Sequence, residues 1–254
     1  MIQNNIDHTI VVLSGKGGVG KSTVAVNLAV HLSSMGYSVG LLDTDIHGPS
    51  VPAMLSLEHM QIHRDEEGMY PLTYGTMKVM SIGSLMPSND DALIWRGPLK
   101  MQAIKQMIEE VHWDNLDYLI VDSPPGTGDE PLSVCQLIPN ITGAVLVTTP
   151  QRISSIDVRR SITFCRRLKL PVLGLIENMG TVTCPSCGEL IELFPKGGAQ
   201  KMARDMHIEL LGSIPFLPEI ASSGDTGAPI VEQHDTMASE IIQKIITHIQ
   251  ERIS

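Results

Sequence analysis

The chain alternates short apolar runs with longer stretches in which apolar residues recur every three or four positions. The runs are residues 10–13, 39–42, 118–121, 144–147 and 172–176, with a weaker one at 210–214. Each is apolar at consecutive rather than alternate positions, which predicts strands buried on both faces. Between them, helical spacing covers residues 24–35, 99–111, 131–137, 153–168 and 199–206. Strands and helices in alternation, joined by right-handed crossovers, predict an α/β fold: a doubly wound, mostly parallel sheet flanked by helices. No repeat, low-complexity tract or Gly/Ser/Pro-rich linker interrupts this order, so residues 1–254 read as a single domain.

Three stretches depart from the rhythm. Residues 58–82 are polar and then alternate weakly at Met77, Val79 and Ser81, the pattern of a β-hairpin excursion. Residues 180–196 hold a cysteine pair among turn formers and read as an insertion between a strand and a helix. Residues 238–253 place Ile241, Ile242, Ile245, Ile246, Ile249 and Ile253 at helical spacing. A membrane-surface helix would carry a polar face rich in Lys and Arg. This one has only Lys244 and Arg252, so it is expected to pack on the sheet.

Composition narrows the partners. The formal net charge of −10 argues against nucleic acid and against an anionic membrane surface. No apolar run approaches the length of a bilayer span, and the N-terminal residues lack the basic and apolar regions of a secretion signal. Four cysteines in 254 residues do not make a secreted disulfide scaffold. A cytoplasmic location is expected.

The chemistry is densest after the first apolar run. Gly15-Lys16-Gly17-Gly18-Val19-Gly20-Lys21-Ser22 fits G-x-x-x-x-G-K-[ST] at every fixed position, between a predicted strand and a predicted helix. Glycines let several backbone N–H groups converge on one anion, and the helix start adds partial positive charge. Lys21 is then placed to reach the β- and γ-phosphates of ATP and Ser22 to ligate Mg²⁺, with Thr23 continuing the site into the helix. Gly15, Gly17 and Gly20 also spell G-x-G-x-x-G, and Asp43 ends the next strand, as in a dinucleotide site. Lys21-Ser22, which a dinucleotide site does not require, favours the triphosphate. So does Asp122, which closes the apolar run 118–121 like a Mg²⁺-coordinating carboxylate.

Asp43 and Asp45 follow the second strand, at the edge where doubly wound folds bind ligands. A turn-capping role for Asp45 before Gly48-Pro49 is the alternative. After Asp122, the stretch Ser123-Pro124-Pro125-Gly126-Thr127-Gly128 is stiff and then flexible, and the Gly126 N–H is the expected γ-phosphate sensor. Asn178 closes another strand with a side chain that both donates and accepts, as an adenine edge requires. Pro215, Phe216 and Leu217 follow the next strand and are expected to cover the base. Lys16, a second cation beside the phosphates, can neutralise charge that develops during phosphoryl transfer.

Cys184-Pro185-Ser186-Cys187-Gly188 is a C-x-x-C knuckle that supplies two thiolates to one metal site. Cys135 and Cys165 fall in predicted helices among apolar neighbours and read as core residues. A closed zinc site or a cubane cluster needs about four protein ligands. No second Cys pair exists in the chain, and the simplest completion is a two-fold partner bringing the same two thiolates. Zinc and an iron–sulfur cluster both remain open on this evidence.

The G-K-G-G-V-G-K-S-T run resembles the signature-lysine group that includes MinD, ParA and the nitrogenase iron protein. That resemblance implies that Lys16 reaches the nucleotide of the partner subunit. It also implies that Asp45 orders the attacking water, that Asp43 belongs to the Mg²⁺ shell and that Asn178 reads the base. Over nearly the whole length the chain resembles, more narrowly, the Mrp/ApbC family of iron–sulfur cluster carriers. The residues are Asp43-Thr44-Asp45-Ile46-His47-Gly48-Pro49-Ser50-Val51-Pro52, Trp95-Arg96-Gly97-Pro98, Glu177-Asn178-Met179, Cys184 to Gly188 and Phe194-Pro195-Lys196-Gly197-Gly198. The family implies an ATPase whose homodimer holds one labile [4Fe–4S] cluster between two Cys184/Cys187 pairs and delivers it to apo recipient proteins. Two features depart from it: Ser123 stands where the family often has an apolar residue, and the first strand begins almost at once, as in a bare ATPase core. A MinD/ParA-like positioning ATPase, or an ATPase with a structural zinc at the dimer interface, are the rivals.

Overall fold

The computed structural model describes residues 4–46, 48–85, 97–183, 187, 189–191, 197–233 and 236–253. Eight strands form one sheet: β1 (Asn5–Ser14), β2 (Val39–Asp43), β3 (Leu72–Tyr74), β4 (Met77–Ser81), β5 (Asn115–Asp122), β6 (Ile141–Thr148), β7 (Val172–Glu177) and β8 (Leu210–Ser213). Their spatial order is β8-β7-β6-β1-β5-β2-β4-β3. All neighbours are parallel except β3 and β4. The helices are α1 (Lys21–Ser34), α2 (Val51–Met54), α3 (Gly97–Glu109), α4 (Asp129–Leu137), α5 (Arg152–Arg167), α6 (Gly198–Asp205), α7 (Pro218–Asp225) and α8 (Met237–Ile253).

The consecutive apolar runs are explained by two cores, one on each sheet face. In β1, Ile10 and Val12 pack into the core under α1 and α8, while Val11 and Leu13 pack into the core under α3 to α6. Both sets are essentially inaccessible, as expected for a parallel sheet covered on both sides. The C-terminal helix is a core element: Ile242, Ile245, Ile246 and Ile249 are buried in the first of these cores, and Lys244 lies on its solvent side.

One expectation needs correction. Residues 58–82 contain two hairpins: His63–Arg64 pairs antiparallel with Met69–Tyr70 in a separate two-stranded sheet, the excursion expected, whereas the hairpin of β3 and β4 is part of the main sheet. Strand β4 joins the main sheet in parallel with β2, pairing Asp43 with Ser81. Its buried Met77, Val79 and Met80 fill both cores. The run is short and polar around Lys78, so its periodicity understates its burial. Lys78 spends its charge at the sheet edge, donating to the carbonyls of His112 and Trp113 and pairing with Asp114.

Within the 180–196 insertion, Val182–Thr183 pairs antiparallel with Leu190–Ile191, in the register Val182 to Ile191 and Thr183 to Leu190. Cys187 lies between these strands and is exposed. Cys184 falls outside the described residues.

Candidate functional site

Sheet register builds the site. Asp43 pairs with Ser81 on one side and with Asp122 on the other, and Asp122 pairs in turn with Val12 of β1. Three strand ends are thereby aligned beside the loop that leaves β1 at Ser14. Strand order reverses around β1: the chain fills the β5-β2-β4-β3 side first and the β6-β7-β8 side afterwards. Ligand crevices of doubly wound folds open at such a point.

The loop between β1 and α1 is held by packing and by two left-handed glycines, Gly18 (φ 75°) and Gly20 (φ 83°). A Cβ at Gly15 would fall 2.6 Å from the Asp157 backbone, so α5 clamps the loop's first glycine. A Cβ at Gly20 would fall 2.1 Å from Asn178 Nδ2. That amide donates to the Val19 carbonyl at 2.9 Å, and Asn178 is buried. The side chain expected to read the base is thus also an anchor of the phosphate loop. One of the two Nδ2 hydrogens is thereby committed inside the protein.

Lys21 is buried, and its Nζ lies 2.5 Å from Asp122 Oδ1, 3.3 Å from Ser22 Oγ and 3.6 Å from Asp45 Oδ2. The second Asp122 oxygen is buried and has no hydrogen-bond partner. Asp43 accepts from Ser81 Oγ at 2.9 Å and from the Asp45 N–H at 3.0 Å. Burial pushes the Asp43 carboxyl up to about 8, and the neighbouring Asp122 charge adds to the shift. Burial likewise raises Asp122, against the pull of Lys21. Thr44 locks the two strand ends together, donating its N–H and its hydroxyl to the Asp122 carbonyl at 3.0 and 2.9 Å.

Three carboxyl groups and one ammonium form a cluster in which burial raises Asp43 and Asp122 toward the protonated form. An orphaned Asp122 oxygen within it fits a divalent cation. Among the described residues no group of three His, Cys, Asp or Glu side chains is arranged to hold a metal ion by itself. The donor set therefore suits Mg²⁺, which takes one or two carboxylates or hydroxyls from protein and the rest from phosphate and water. Asp122 and the Ser22 hydroxyl would hold it here.

Two predicted residues are placed differently from the simplest expectation. The Gly126 N–H, expected to sense a γ-phosphate, donates to the Ser14 carbonyl at 2.8 Å. It must leave that bond before it can meet a phosphate. Gly126 has φ 96°, a conformation a glycine adopts at low cost when such a loop is repositioned. Lys16 is turned toward α5, where its Nζ donates to Gln151 Oε1 at 2.7 Å.

A cleft of about 360 Å³ runs from Gly20 and Thr23 past Asn178 to Pro215, Phe216 and Leu217, the residues expected to meet the base. The residues proposed from sequence at both ends of the cleft are brought together. Its far wall, Ile220 to Asp225 of α7, was not anticipated, because an eight-residue helix starting at a proline leaves little periodicity. Sequence reading also missed Ser81 and Gln151. It missed the buried Asn27 as well, which donates to the Thr23 carbonyl and accepts from the Val231 N–H. A polar residue on the buried face of an apolar helix was the available signal for Asn27.

Residues 5–250 match the family described as ParA, NUBPL iron-transfer P-loop NTPase. The chain is 47% identical over 251 residues to an iron–sulfur cluster carrier protein of Methanocaldococcus jannaschii, covering 98% of this chain and 86% of that one. It is 44% identical over 249 residues to a cytosolic Fe–S cluster assembly factor, a Nubp2 homologue of Anopheles gambiae, covering 96% of each. A solved nucleotide-binding protein of Archaeoglobus fulgidus, in complex with ADP, superposes with a TM-score of 0.76 at 41% identity over 87% of both chains. The cell-division ATPase MinD of Pyrococcus furiosus shares the fold, with a TM-score of 0.71 at 22% identity over 96% of this chain and 99% of that one.

Proposed function

This chain belongs to the ParA/NUBPL family of iron-transfer P-loop NTPases, and we propose that it is a homodimeric ATPase that carries an iron–sulfur cluster to apo recipient proteins. The cargo is a [4Fe–4S] cluster held jointly by Cys184 and Cys187 of two subunits. The observation that carries the ATPase half is the buried Lys21–Asp122 pair with its spare carboxylate oxygen, set beside a complete phosphate loop. Residues 15–23 cradle the phosphates. Ser22 and Asp122 would hold Mg²⁺, with Asp43 behind them, and a cation there would supply positive charge to the phosphates. Asp45, 3.6 Å from Lys21, orders the attacking water. Lys16 leaves Gln151 to reach the partner subunit's nucleotide. Asn178 and Pro215 face the base. The ADP held by the Archaeoglobus relative and the iron–sulfur names of the curated relatives support this reading.

The exposure of Cys187 on a two-stranded hairpin suits a thiolate shared with a second copy. We place the protein in the cytoplasm, as for the cytosolic assembly factors it resembles. No helix among the described residues is long and apolar enough to cross a membrane. The test is anaerobic reconstitution of the wild type and of Cys187→Ser. The wild type should turn brown, and the variant should stay colourless while binding ATP as before. A variant that keeps the cluster, or a colourless wild type holding zinc, would contradict the reading.

A further inference from the structure

Beyond the ends of β7 and β8 the two chains stay zipped. Ile214 N–H donates to the Glu177 carbonyl at 2.7 Å, Gly180 N–H to the Ile214 carbonyl at 2.9 Å and Phe216 N–H to the Thr181 carbonyl at 2.8 Å. Ser213 Oγ adds a bond to Glu177 Oε2 at 3.0 Å. The last rung is a parallel bridge between Val182 and Phe216. Val182 is also the cross-strand partner of Ile191 in the cysteine hairpin. Ile191, Val182 and Phe216 therefore stand in one register across three chain segments.

The same segments line the cleft. Asn178 and Met179 come from one strip, and Pro215, Phe216 and Leu217 from the other. Phe216 is both a wall of the cleft, with 44% of its surface exposed, and the residue whose backbone holds the hairpin base.

We propose that Phe216 is a positioning residue that joins the base half of the nucleotide cleft to the cysteine hairpin, so that a bound nucleoside, rather than the phosphates alone, sets the accessibility of Cys187. The inference rests on the nucleotide reading above and adds a route to it. A base seated in the cleft packs on Pro215 and Phe216. It stabilises the closed ladder and with it the hairpin that Val182 anchors. Inorganic phosphates fill only the loop end, around Gly15 to Ser22, which meets this ladder through Asn178 and not through Phe216. Both ADP and ATP carry the base, so both act on the hairpin.

The test is the alkylation rate of Cys187 in the full-length, cluster-free chain, resolved by site with mass spectrometry. Cys135 and Cys165 serve as slow internal references, because burial raises their thiols to about 11 and about 12. Rates are compared without ligand, with ADP, with ATP and with tripolyphosphate, each with Mg²⁺ and at saturation. ADP and ATP should slow Cys187 roughly fivefold or more, within the usual range of site-to-site coupling. Tripolyphosphate should leave the rate unchanged. In Phe216→Pro, which lacks the N–H of the last rung, saturating ADP should no longer slow it. Equal protection by tripolyphosphate and ADP would overturn the inference, as would no protection by ADP or full protection in a folded Phe216→Pro protein. The ligand comparison in the wild type decides the matter even if that variant does not fold. A chain that fails to bind ADP at all, read by direct titration, would refute the nucleotide reading itself and the inference with it.

Discussion

The two lysines of the phosphate loop differ in what surrounds them. Lys21 is buried against Asp122, whereas Lys16 makes a surface bond to Gln151. Removing one member of a buried pair leaves an uncompensated charge, so Lys21→Ala should destabilise the fold by up to about 3–5 kcal/mol as well as abolish nucleotide binding. Lys16→Ala should change stability by no more than about 0.5–1 kcal/mol, since it removes no buried partner. It should cut turnover while largely sparing nucleotide affinity, and equal loss of both would contradict a role for Lys16 in catalysis. Thermal denaturation and nucleotide titration of both variants check this contrast.

Asp43 predicts a pH dependence at the same scale. Its carboxyl is raised in the folded chain, to about 8. The fold therefore holds a proton that the unfolded chain releases nearer pH 4. Stability from this group is present at low pH and declines as pH climbs from about 4 to about 8. In metal- and nucleotide-free protein, Asp43→Asn should flatten that decline and leave the variant the more stable at pH 8. Denaturant midpoints measured across the range check it, and an unchanged slope would count against a protonated Asp43. Gly20→Ala adds a backbone test. An alanine at φ 83° costs about 1–2 kcal/mol, and its methyl would also displace Asn178. A melting point lowered by about 2–8 °C is expected for a chain of this size.

At the scale of elements, helix α8 is the clearest case of a pattern fulfilled. Ile242, Ile245, Ile246 and Ile249 are buried where the spacing puts them, and Ile241 and Ile253 pack partly buried against the same core. Ile246→Ala should cost about 2–5 kcal/mol with the denaturant slope unchanged. The five long apolar runs were legible for the same reason, since a strand buried on both faces has no polar position to blur it. Strand β4 was not. Lys78 interrupts it, and its stabilising partners are carbonyls contributed by residues 112 and 113, more than thirty positions away. Helix α7 is eight residues long and draws its order from the cleft wall it completes.

The site divides along the same line. The phosphate loop and Asp122 announce themselves because their chemistry is local: a fixed spacing of glycines, or a charge that ends an apolar run. Ser81, Gln151 and the second role of Asn178 depend on contacts made after folding. Asn178 reaches Val19 across 159 positions of sequence. Gly126 shows the converse limit, in that sequence identified its flexibility but not the Ser14 carbonyl that its N–H occupies.

For the whole molecule, a net charge of −10 and a C-terminal helix committed to the core fit a carrier better than a surface-binding positioning ATPase. The curated relatives point the same way at more than 40% identity, whereas MinD at 22% shares only the fold. The proposed cluster needs about four protein ligands and one chain has a single C-x-x-C pair, so the proposal turns on assembly. Native mass spectrometry of the anaerobically reconstituted chain measures this directly. The predicted species is a dimer carrying about four irons and four sulfides, reverting to cluster-free protein in Cys187→Ser. A monomer that retains the full complement of iron and sulfide would contradict it.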